Sequence, residues 1–238
     1  AMQELSTAQV SQLSTAQVSS LTSVALGNMS STQVQALTSK QVQIISSAVL
    51  NALGSTAMQE LSTTQVSQLS TAQVSSLTSA ALSNMSSAQV KAIGSAAIQS
   101  ISSGVLNALG STTIQELSGA QVTQLSTAQV SSLTSAALGN MSSAQVSAFG
   151  SAGIQSISSS VLNALGSTVM QELNTTQVSQ LSTAQVSSLT STALGNMSST
   201  QVQALTSKEV QTISSAVLNA LGSTAMQELS TTQVTQLT

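Results

Sequence analysis

Residues 5–20 read LSTAQVSQLSTAQVSS, one octet followed by a near copy of itself. The same register runs without insertion or deletion to Gln236, so 29 complete octads fill residues 5–236 of a 238-residue chain. Position one of the octad is always Leu, Ile, Met or Phe, and position six is always Val, Leu, Ile or Met. Position two is only Ser, Thr, Gly or Asn. Those residues best begin a helix, because they suit the extended N-cap or accept from its free N–H groups. Fifteen octads place Gln or Glu three residues after that cap. This is the spacing of a capping box, in which cap and amide side chains each satisfy the other's backbone N–H. Positions one and six are then the pair that forms a hydrophobic staple across the helix start. Leu5, Val10, Leu13, Val18, Leu21, Met29, Ile45 and Leu53 are therefore candidate core residues. Ser6 with Gln9 and Ser14 with Gln17 are candidate helix caps.

The period argues against one long helix. Eight residues at about 100° each leave a drift of roughly 80° per octad, so an apolar stripe would wind around the axis. A β-solenoid is the rival, because an even period keeps position one on one strand face, although it sends position six to the other. Ala, Gln, Leu and Met favour helix, while Val, Ile and Thr pull toward strand. The caps favour an all-α solenoid, a superhelical rod or tube of very short helices with one helix per octad. Two aliphatic side chains per octad cannot order eight residues alone, so octads must stack on neighbours.

Octads seven apart match: LTSVALGN at Leu21 returns as LTSAALSN at Leu77, LTSAALGN at Leu133 and LTSTALGN at Leu189. The chain thus reads as one continuous array of 56-residue units, 5–60, 61–116, 117–172 and 173–228, with a partial unit at 229–238. Seven octads per turn, or per two turns, would set equivalent octads above one another. The sequence opens inside an octad with AMQE and stops at LT, which reads as a piece of a longer protein. Val42, Ile45, Val49 and Leu53 follow helical spacing, with Gly54 as a C-cap, so two octads are expected to fuse there into one longer helix.

Composition narrows the chemistry. The chain has no His, Cys, Trp, Tyr, Pro, Arg or Asp, one Phe, three Lys and six Glu, for a formal charge of -3. A serine nucleophile lacks a histidine base, and a Ser–Lys dyad would need a desolvated amine, whereas Lys40 and Lys208 read as surface residues. Glu60, Glu116, Glu172 and Glu228 share a column, too sparse in carboxylates for a calcium loop. No catalytic residue, cofactor or metal ligand is therefore expected. No apolar run is long enough to span a membrane, and no signal peptide is visible. Mean hydropathy is positive, unlike that of a solvated disordered tail.

LTSKQVQIISS at Leu37 resembles the opening of TAL effector repeats. Their DNA-reading function does not follow, because the repeat length differs and prolines, base-reading residues and phosphate-facing charge are missing. No nucleic-acid partner is expected. Along its whole length the chain resembles the LSTxQV and LTxxQV octad tracts of very long bacterial secreted and surface proteins of adhesin or haem-utilisation type. That resemblance implies an extracellular or cell-surface filament or stalk that associates with itself into a fibre. A haem role does not carry over, since no His, Cys or Tyr is present to hold iron. The alternative is a binding module whose regular Ser and Thr arrays match a repetitive surface such as ice, a crystal or a polysaccharide.

Overall fold

A computed structural model describes residues 2–220 and 226–237. Among them are 28 α-helices of four to six residues, one 3-10 turn at Met2–Glu4, and no strand. The protein is all-α, one short helix per octad, and the β-solenoid alternative fails.

The local cause is the cap. Each helix starts at octad position three, after a position-two residue in extended backbone, as at Ser6 (φ -69°, ψ 158°) and Ser70 (φ -69°, ψ 156°). All fifteen octads with Gln or Glu at the third helical position close the reciprocal box. After little more than one turn the chain returns to extended backbone at the next position one, as at Ile93 (φ -63°, ψ 124°). No described residue has positive φ, so no helix ends on a left-handed glycine.

This overturns the expected fusion of two octads near residues 42–53. Ser39–Gln43 and Ser47–Asn51 are separate helices, because Ser46 sits between them in extended backbone and accepts from the Val49 N–H at 3.2 Å. Gly54 is likewise the N-cap of Ser55–Gln59 (φ -70°, ψ 171°), not a C-cap. Apolar spacing suggested continuity there, but the repeated cap at position two interrupts it.

Two compact units are present, Ala1–Gln124 and Leu125–Thr238. In each, helices pack on those three and four octads away. In the first unit Ser79–Ser83 meets both Ser47–Asn51 and Ser55–Gln59; in the second Ser159–Ala164 meets both Thr183–Ser187 and Ser191–Gly195. Within each compact unit a turn therefore takes about three and a half octads, so seven octads, or 56 residues, correspond to two turns. Ser79–Ser83 and Ser159–Ala164 thus each bridge the joint between two helices of a neighbouring turn.

The core is the column of positions one and six. Val10, Val18, Met29, Ile45 and Leu53 are buried, whereas Leu5, Leu13 and Leu21 are half-buried. Toward the other end of the sequence the asymmetry reverses, with Leu229 buried and Val234 exposed. Position-one side chains thus pack toward the preceding turn and position-six side chains toward the following one. Leu221, expected in the same column, lies outside the described residues.

Candidate functional site

A helix of five residues is almost all ends. Its first N–H groups and last carbonyls have no partner within the helix, and burying them unpaired would be costly. The capping box deals with the N-terminal side. In the octad at residues 69–76, the Ser70 N–H donates to Gln73 Oε1 at 2.9 Å and the Gln73 N–H donates to Ser70 Oγ at 3.2 Å.

The same glutamine also serves the carbonyls of another turn. Gln73 Nε2 donates to the carbonyls of Val42 at 2.9 Å and Ile45 at 2.8 Å, residues 31 and 28 positions earlier. Gln65 repeats the pattern with Val34 and Leu37, Gln89 with Met58 and Leu61, and Gln121 with Val90 and Ile93. In the second unit Gln177 reaches Val146 and Phe149, Gln185 reaches Ile154 and Ile157, Gln201 reaches Met170 and Leu173, and Gln233 reaches Val202 and Leu205. In each case the acceptors include a position-six carbonyl at a helix end and the position-one carbonyl that follows three residues later. One amide group therefore closes its own helix start and an earlier helix end. Because these glutamines are buried, each such bond forms away from competing water, and its loss would leave an unsatisfied group worth about 1–3 kcal/mol.

Asparagines supply ties of two further kinds. Asn51 Nδ2 donates to the Ser76 carbonyl at 2.7 Å while its Oδ1 accepts from the Thr78 N–H at 2.9 Å, so this tie reaches 25 to 27 residues forward. Asn163 does the same with Ser188 and Thr190. Asn84 and Asn196 reach back 31 residues to the carbonyls of Leu53 and Leu165. Both kinds sit in octads whose third helical residue is Val or Ala, where the glutamine tie is missing.

The sequence places Ser6, Gln9, Ser14 and Gln17 as caps, and the structure pairs them so: the Ser6 and Ser14 N–H groups donate to Gln9 and Gln17 Oε1, each at 2.8 Å. The second role of this glutamine column and the asparagine ties are not apparent from the octad alone. One signal pointed to the former. Glutamate closes a capping box as well as glutamine and is favoured by the helix dipole, yet the column holds fourteen Gln and one Glu. A demand for an N–H donor explains that choice.

Among the described residues no group of three acidic, His or Cys side chains could hold a metal, and no helix is long and apolar enough to cross a membrane. Compared with protein-family models and with curated proteins, the chain matches none.

Proposed function

We propose that this chain is a structural repeat region of an extracellular bacterial filament or adhesin stalk, and that it associates with itself. The observation that carries the reading is the ladder of buried glutamine ties. Each links one turn to an earlier one, so force applied along the winding is shared by many hydrogen bonds and aliphatic contacts of the same geometry. The surface supports association: nine charged residues in 238 leave a face of hydroxyls and amides with little repulsion between copies.

Sedimentation and electron microscopy over rising concentration test it. Growth into end-to-end or lateral assemblies is the expected result, and strict monomers at high concentration would overturn it. If such monomers also inhibit ice recrystallisation, the surface-binding alternative replaces the structural one.

A further inference from the structure

Glu209 is the one member of the capping-box column whose side chain has no N–H to give. It stands three 56-residue units after Gln41, whose Nε2 donates to the carbonyls of Val10 at 3.3 Å, Ser11 at 3.3 Å and Leu13 at 2.7 Å. Glu209 keeps the local half of the motif. The Thr206 N–H donates to Glu209 Oε2 at 2.6 Å, and the Glu209 N–H donates to Thr206 Oγ1 at 3.4 Å. Its side chain is as buried as that of Gln41, 3% against 4% exposed. By the register of the glutamines, the positions 31 and 28 residues before Glu209 are Val178 and Leu181, the counterparts of the Val10 and Leu13 whose carbonyls Gln41 binds. The helix Ser207–Val210 packs on Thr183–Ser187, as that register requires. An ionised carboxylate only accepts, whereas a protonated one carries an O–H donor.

We propose that Glu209 is a proton-operated tie between turns. Protonated, its carboxyl O–H donates to the Val178 or Leu181 carbonyl and holds residues 206–213 as a glutamine would. Ionised, it faces those carbonyls as a third acceptor, and that segment loosens.

The surroundings leave this charge uncompensated. Lys208 is on the same helix but exposed. The helices Thr175–Val178, Thr183–Ser187 and Thr231–Val234 carry no titratable side chain, and the other acids of this unit, Glu172 and Glu228, occupy a different octad column. Burial raises the Glu209 carboxyl above the ordinary glutamate range, against the lowering effect of the bonds with Thr206. A raised acid binds its proton more tightly folded than unfolded. Its cost is therefore absent below the unfolded-chain value, grows as pH rises through the folded value, and stays in full above it.

Peptide-resolved hydrogen exchange on the full chain, with intrinsic rates divided out, tests the proposal. At neutral pH Glu209→Gln should raise protection of the Val210, Thr212 and Ile213 amides by about tenfold. Acidification to about pH 4 should raise wild-type protection there by a similar factor and leave Glu209→Gln nearly flat. The reverse substitution, Gln41→Glu, should lower protection of Val42 and Ile45 at neutral pH and restore it in acid. Equal protection of wild type and Glu209→Gln at neutral pH would overturn the tie, as would a pH response that survives in Glu209→Gln or no change in Gln41→Glu.

Discussion

The octad LSTAQVSS occurs at residues 13–20 and again at 69–76, identical in every letter and different in surroundings. Locally the two copies match. Ser14 and Ser70 have the same extended backbone, both boxes close, and both helices run five residues. Tertiary roles diverge, since Gln17 is exposed while Gln73 is buried with two carbonyls of the preceding turn on its amide. Leu13 is half-buried, but Leu69 is buried. Identical sequence thus yields identical helix, and position in the stack decides what that helix contributes.

Truncating the core leucine should separate the two copies most. Leu69→Ala removes a buried side chain between turns and should cost about 3 kcal/mol, whereas Leu13→Ala should cost about half as much. Urea unfolding of both variants measures the difference, and equal losses would mean that the stack adds nothing to leucine burial. The glutamine comes next. Gln73→Ala should cost about 2–3 kcal/mol, because the Ile45 carbonyl and the Ser70 N–H lose their partner and the Val42 carbonyl keeps only the Ile45 N–H, while Gln17→Ala should cost under about 1 kcal/mol as a cap alone. Gln73→Glu keeps the box and discards the donor, so it isolates the tie; at neutral pH its loss should approach that of alanine. The smallest effect lies in the octads without a side-chain cap. Gly54→Ser should stabilise by a few tenths of a kcal/mol, since serine is the stronger cap and an added Cβ meets nothing within 4 Å. A loss there, read from a lowered melting temperature, would show that glycine serves a purpose other than capping.

The contrast between these octads also explains what could be read from sequence. Helix starts, core columns and boxes depend on residues within one octad, so Ser6, Gln9, Leu5 and Val10 announce them. The 56-residue match implied an integral number of turns per unit without deciding between one and two. The ties were hidden for a physical reason: the partners of Gln65 or Asn51 are backbone groups, which every residue supplies alike apart from proline's missing N–H, and which leave no mark on the amino acid at the other end. Misreading Gly54 has a related cause. Glycine suits both ends of a helix, and only the phase of the octad assigns it to the start. Fusion around residues 42–53 was suggested by Val42, Ile45, Val49 and Leu53, whose spacing fits a continuous helix but also recurs wherever positions one, five and six are all aliphatic.

Because the glutamine amide grips main-chain carbonyls and not particular side chains, any octad can receive any other. Gaining or losing eight residues would move each glutamine whose tie spans the change onto the equivalent carbonyls of a different octad, with those bonds remade in the same form. A change of three or five residues would instead turn position-one and position-six side chains out of the core and leave the amides without acceptors. Array length is therefore free to change by recombination in whole octads, and the fold itself rejects the intermediate products.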